Sequence, residues 1–124
     1  MASNRQILLV EDDEVILHLL KELLEGAGYQ VASAGNGQEA LGFLRSGADR
    51  PSIILLDLMM PVMDGFEFMS AQKEDPALAK IPVIAMSADN QIKEKLRETT
   101  ACDYFKKPAK IATILELIEH YRIK

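Results

Sequence analysis

Four acids in a row, Glu11, Asp12, Asp13 and Glu14, stand directly behind the apolar run Leu8-Leu9-Val10. Further along, the run Ile53-Ile54-Leu55-Leu56 ends at Asp57, residues 81–86 end at Ser87, and residues 104–106 lead into Lys107. Adjacent carboxylates repel one another and resist burial, so such a cluster either stays solvated or serves a cation. Hard oxygen donors open to water suit Mg²⁺, which takes one or two carboxylates and keeps several waters. No His or Cys falls near these positions, which removes the usual zinc donors. A divalent cation beside an acid, a hydroxyl and an ammonium supplies the parts for phosphoryl transfer, a chemistry of positioning and charge neutralisation. A carboxylate can itself be the nucleophile and become an acyl phosphate, and Asp57 is the candidate. Taken singly, each residue also has a plainer role. Asp13 and Glu14 suit the first turn of a helix, Asp57 a turn, Ser87 a helix cap and Lys107 an exposed surface. The chemistry therefore depends on whether the fold brings these positions together.

The elements that must do so are legible from periodicity. Residues 6–10, 29–34, 52–56 and 81–86 are short apolar runs without helical period, which predicts buried strands, and residues 104–106 add a short fifth. Between them, Val15, Ile16, Leu19, Leu20, Leu23 and Leu24 recur at three- and four-residue spacing and predict an amphipathic helix ending at Gly26 or Gly28. The turn Gly35-Asn36-Gly37 precedes a helix marked by Ala40, Leu41 and Leu44. Phe66, Phe68, Met69 and Ala71 mark another, stopped by Asp75-Pro76. Residues 89–99 predict a polar helix anchored only by Ile92 and Leu96. Ile111, Ile114, Leu115 and Ile118 predict the last helix. Strands alternating with helices imply an α/β fold, a doubly wound parallel sheet with helices on both faces and right-handed crossovers. In such sheets the functional groups gather at the carboxyl ends of the strands, which is where Glu11, Asp12, Asp57, Ser87 and Lys107 fall.

Composition sets the outer bounds. With 124 residues, 48% hydrophobic and 27% charged, the chain is expected to form one globular domain, residues 1–124. A net charge of −5 gives no electrostatic reason to expect nucleic acid or an anionic membrane as partner. Cys102 is the single cysteine, so no internal disulfide can form; it is expected to be a buried, inert thiol in a reducing compartment. No apolar run approaches the ~20 residues of a membrane span. The polar start, residues 1–6, carries no signal-peptide pattern, so a cytoplasmic location is expected. His18 and His120 fall on helices away from the acids and read as surface residues.

Four stretches in order, "ILLVEDDE" (7–14), "IILLDLMMPVMDGFE" (53–67), "IPVIAMSA" (81–88) and "DYFKKP" (103–108), resemble the receiver domains of bacterial two-component response regulators. The resemblance covers about the whole chain. It implies a flavodoxin-like three-layer sandwich of five parallel strands in the order 2-1-3-4-5 with five helices. It implies Asp57 as acceptor of a phosphoryl group from a histidine kinase or phosphotransfer protein. Glu11 and Asp12 would hold Mg²⁺, Asp12 directly and Glu11 through water, with the backbone carbonyl of Met59 and Asp57 itself completing the protein ligands. Ser87 would be the switch hydroxyl, Lys107 the partner of the phosphoryl group, and Tyr104 the switch aromatic. Lys107-Pro108 is expected to be cis. The family also implies signalling through helix 4, strand 5 and helix 5 to a downstream protein or output domain, with a phosphorylation-dependent dimer among its assemblies. Its only chemistry would be its own phosphorylation and dephosphorylation. His18 would sit on the helix that meets kinases.

Three positions depart from the family pattern: Val62 stands for a frequent Gly after Asp57, Thr100 for a common Gly before strand 5, and Ala109 for the Phe often found after Lys-Pro. The resemblance also implies that Met59 and Asp89 occupy two variable positions that tune self-dephosphorylation in that family, and Ala88 is small, as expected where a phosphoryl group would need access. Competing readings on the same fold are weaker. A flavin or nucleotide carrier wants a phosphate-cradling loop after strand 1, where this chain has Glu-Asp-Asp. An aspartyl phosphohydrolase wants a general acid two residues after its nucleophile, where Met59 stands. A receiver used only for docking would not need Asp57, Ser87 and Lys107 together. The chain stops just past the last helix, as expected either of a stand-alone regulator or of a receiver taken from a longer protein.

Overall fold

The structure is a computed structural model that describes residues 4–47 and 50–124; part of the polar start lies outside the described residues. Among the described residues ten elements alternate: β1 Gln6–Val10, α1 Glu14–Gly26, β2 Gln30–Ala34, α2 Gly37–Arg45, β3 Ile53–Asp57, α3 Gly65–Glu74, β4 Val83–Ser87, α4 Ile92–Lys95, β5 Ala101–Lys106 and α5 Ile111–Tyr121. The strands pair in parallel in the order β2-β1-β3-β4-β5. Side chains alternate across each strand, so the sheet carries an apolar layer on each face. Leu8, Val10, Ile54, Leu56, Val83 and Ala85 face α2, α3 and α4. Ile7, Leu9, Ile53, Leu55, Ile84 and Met86 face α1 and α5. The result is the three-layer, flavodoxin-like sandwich.

Helix starts follow local chemistry. Asp13 caps α1, its side chain accepting from the backbone N–H groups of Val15 and Ile16 at 2.9 and 3.2 Å. Asn36 caps α2, and Asp64 with Glu67 forms a capping box on α3. By contrast α4 has no side-chain cap, and it runs for one turn rather than through residues 89–99. Only Ile92 and Leu96 anchor that segment in the core, and after Leu96 the chain closes into turns, with the Thr99 hydroxyl donating to the Leu96 carbonyl at 2.8 Å. Short helices without caps or an apolar face are marginal.

Two further expectations are corrected. The buried side of α1 is carried by Leu17, Leu20 and Leu24, while Val15, Leu19 and Leu23 are exposed, so half of the anticipated stripe faces outward. Cys102 is exposed, because the ladder between β4 and β5 slips: Val83 pairs with Ala101 and Ile84 with Asp103. Cys102 is the extra residue of a bulge, which leaves it outside the strict alternation of the strand. Gln72 is a fully buried polar residue on α3. Its amide donates to the carbonyls of Leu78 and Ile81, both at 3.0 Å, and its oxygen accepts from Thr100 Oγ1 at 2.7 Å. At the amino edge of the sheet, Arg122 donates to Glu119 and to the Asn4 carbonyl, and Tyr29 donates to Glu119. Arg122, with Tyr29, holds the Glu119 carboxyl down at about 2.

Candidate functional site

At the carboxyl edge the ladder continues one step past several strands. Glu11 N–H donates to Ala34 O at 3.0 Å, Leu58 N–H to Met86 O at 3.2 Å, and Lys107 N–H to Ser87 O at 2.8 Å. These bonds fix the strand ends whose side chains carry the chemistry. A cleft of about 280 Å³ opens there, lined by Glu11, Asp12, Asp13, Ile16, Asp57, Met59, Ser87, Ala88 and Lys107. Every acid, the hydroxyl and the ammonium anticipated from the sequence therefore meet. Tyr104 does not line the cleft; it is half-buried and packs against the core layer that faces α2, α3 and α4. Lys107-Pro108 is cis.

Asp57 is 4% exposed and Glu11 1%, whereas Asp12 lies open to solvent. Lys107 Nζ is 2.6 Å from Glu11 Oε1 and 3.4 Å from Asp57 Oδ2. Met59 N–H donates to Asp57 Oδ1 at 3.2 Å, and Asp13 N–H to Glu11 Oε2 at 3.3 Å. Burial, followed by the adjacent Glu11, pushes the Asp57 carboxyl up to about 7 against the pull of Lys107. Burial also works against the charge on Glu11, but its hydrogen bonds with Asp57 and Lys107 outweigh it and hold this carboxyl below its usual range. Lys107 is likewise held above its ordinary value, because Glu11 and Asp57 outweigh the cost of burying its ammonium. Ser87 Oγ accepts from Asp89 N–H at 3.0 Å, so the hydroxyl is engaged with the connection to α4. Asp13 serves the helix cap rather than the acidic pair.

The donor set fits a hard divalent cation. One carboxylate oxygen from each of Glu11, Asp12 and Asp57 lies within 4.8 Å of the others, and one ammonium leaves the group with excess negative charge. Gly65 is a supporting residue that sequence reasoning did not single out. A Cβ there would lie 2.8 Å from the Asp57 carbonyl oxygen and from Leu58 Cα, so only glycine lets α3 start this close beneath Asp57. The Asp64-Gly65 pair before an apolar-patterned helix was the available signal.

Comparison with known proteins agrees with this geometry. The chain is 34% identical over 119 residues to the polar-differentiation response regulator DivK of Brucella anthropi, covering 94% of this chain and 95% of that one. The receiver domain of a signal transduction histidine kinase from Syntrophus aciditrophicus superposes with a TM-score of 0.84 at 34% identity, covering 97% of this chain and 89% of that one. A sensor histidine kinase receiver domain from Pseudomonas aeruginosa, solved with a magnesium ion coordinated in its active-site cleft, superposes at 0.82 with 28% identity, covering 96% and 98%. Residues 7–119 match the family model of the response regulator receiver domain. With its strand order, its acidic cleft and this match all in agreement, the chain belongs to the response regulator receiver family of two-component signalling systems.

Proposed function

We propose that residues 1–124 work as one phosphorylation-driven switch in which Asp57 is the phosphoacceptor. The observation that carries this reading is the recessed Asp57 carboxylate, with Glu11 and Asp12 on one side and Lys107 and Ser87 within the same cleft. An oxygen of Asp57 attacks the phosphorus of a phosphohistidine on a histidine kinase or phosphotransfer protein. The P–N bond breaks, the P–O bond of an acyl phosphate forms, and the imidazole leaves with the electron pair. Glu11, Asp12, Asp57 and the Met59 carbonyl hold Mg²⁺, which when bound offsets negative charge on the phosphoryl oxygens.

The phosphoryl group adds about 1.5 to 2 negative charges in the cleft. Lys107 transfers its ammonium from Glu11 toward the new oxygens. Ser87 turns its hydroxyl from Asp89 N–H to donate to one of them, which frees the connection to α4. Tyr104 turns inward, and the surface of α4, β5 and α5 changes its affinity for a downstream protein, an output domain or a second copy of the chain. The single-turn, uncapped α4 supports such movement, since weakly anchored segments open at low cost. Among the described residues no helix is long and apolar enough to cross a membrane, which fits a partner met in solution.

The test is labelling by acetyl phosphate and by a panel of phosphorylated histidine kinases with Mg²⁺ present. Wild type takes label on Asp57, and chelation of the metal abolishes it. An Asp57→Asn variant that is labelled at the wild-type rate would sink the assignment.

A further inference from the structure

Among the described non-glycine residues, Val62 alone has a positive φ, +67°. Met63 N–H donates to the Pro61 carbonyl at 2.7 Å, so Pro61-Val62-Met63 forms a γ-turn of the strained hand. A β-branched side chain is among the least suited to this backbone region. The side chain is also 73% exposed, so burial within the chain does not compensate the strain. Glycine or asparagine would adopt the same turn at lower cost.

The loop that carries this turn is fastened at both ends. Gly65 N–H donates to the Leu58 carbonyl at 3.1 Å, and Gly37 N–H donates to the Met63 carbonyl at 2.9 Å. Met63 also packs so closely on Gly37 that a Cβ there would lie 2.8 Å from Met63 Cγ. Val62 is thus held in place rather than free to relax. Met59, on the same loop and on the wall of the cleft, is 72% exposed. Strain retained where the fold gains nothing from it points to a use outside the fold.

Resting on the phosphoacceptor reading above, we propose that Val62 is a specificity-determining contact for protein phosphodonors, meeting an apolar surface around the donor's phosphohistidine. Asp57 lies at the floor of the cleft, so a donor protein must seat its surface on the rim before phosphorus can reach the carboxylate. A small phosphodonor enters the cleft and touches neither Val62 nor the outer face of its loop. The two donor classes therefore separate this role from the chemistry.

The experiment compares V62G, V62N and V62M with wild type in the full chain. Acetyl phosphate is one donor, and the other is whichever phosphorylated histidine domain of the kinase panel labels wild type fastest. V62G and V62N are expected to melt at a higher temperature, to keep acetyl phosphate labelling within about twofold, and to lose about tenfold in kcat/KM for the protein donor. V62M, which keeps an apolar side chain, is expected to stay within about threefold for both donors. Unchanged transfer from the protein donor to V62G would overturn the proposal, as would an equal loss with acetyl phosphate, which would place the effect in the cleft itself. Failure of wild type to take label from acetyl phosphate would instead overturn the phosphoacceptor reading, and the contact with it.

Discussion

Lys107 Nζ lies closer to Glu11 than to Asp57, 2.6 Å against 3.4 Å, so the ammonium rests on Glu11 rather than on Asp57. The lysine thereby neutralises the less exposed of these two carboxylates and stands one short movement from the other.

Replacing Lys107 by Met is expected to reduce labelling of Asp57 by acetyl phosphate about 100-fold, as loss of a charge-stabilising donor does elsewhere. The same variant leaves Glu11 buried without its ammonium and is expected to lose about 1–3 kcal/mol of stability in urea unfolding. Full labelling with unchanged stability would refute both roles.

The pH dependence follows from Asp57. Its carboxyl sits at about 7 in the folded chain against an ordinary 3.8. Between those values the folded state binds a proton that the unfolded state does not, so this group's contribution to the metal-free protein is full below 3.8 and is lost progressively as pH rises to about 7. Mg²⁺ held by Asp57 would compete with that proton. Its apparent affinity is expected to rise with pH through about 7, and calorimetry in buffers of different ionisation heat should detect proton release on binding. A pH-independent affinity between pH 6 and pH 8 would refute the coupling of metal and proton on Asp57.

Two glycines give opposite predictions for the same substitution. Gly65→Ala forces a methyl against the Asp57 carbonyl and Leu58, and is expected to cost about 1–3 kcal/mol in chemical denaturation. Gly42→Ala, within α2 and with no atom near its Cβ, is expected to stabilise by about 0.5–1 kcal/mol.

Gln72 and Thr100 are expected to be energetically coupled. Thr100→Val leaves the buried Gln72 oxygen without its donor, and Gln72→Leu removes the amide donor of the Ile81 carbonyl, one of the two donors to the Leu78 carbonyl, and the acceptor of the Thr100 hydroxyl. Each single change is expected to cost about 1–3 kcal/mol, and the double mutant to cost less than their sum by about 0.5–2 kcal/mol. Strict additivity would show that the bond contributes nothing.

The sheet was legible because β1, β3 and β4 are apolar on both faces and each ends at a polar residue, so Glu11, Asp57 and Ser87 marked the strand ends themselves. Lys107 was legible through Lys-Pro and the strand before it. What escaped depends on neighbours distant in sequence. The one-turn length of α4 follows from the lack of a cap and from turns closed by Thr99, which a polar pattern over residues 89–99 does not reveal. The exposure of Cys102 follows from a slipped ladder between two strands. The face that α1 buries is set by how it docks on the sheet, and Val15, Leu19 and Leu23 are apolar enough to mislead a periodicity argument. The preference of Lys107 for Glu11, and the raised Asp57 carboxyl, depend on separations of a few ångströms that no sequence pattern encodes. Nothing in the letters Pro-Val-Met announces a left-handed valine.

The cleft draws its groups from the ends of four strands, and this has a consequence for the order in which the molecule can become competent during its own synthesis. A nascent chain that has just delivered β3 owns Glu11, Asp12 and Asp57 but neither Ser87 nor Lys107. Its acids can gather on the first three strands, yet the ammonium that tempers them arrives only when β5 joins the edge of the sheet. A chain cut ahead of β5 is therefore expected to keep the crowded acids and lose the ammonium, so β5 is the strand that completes the cleft.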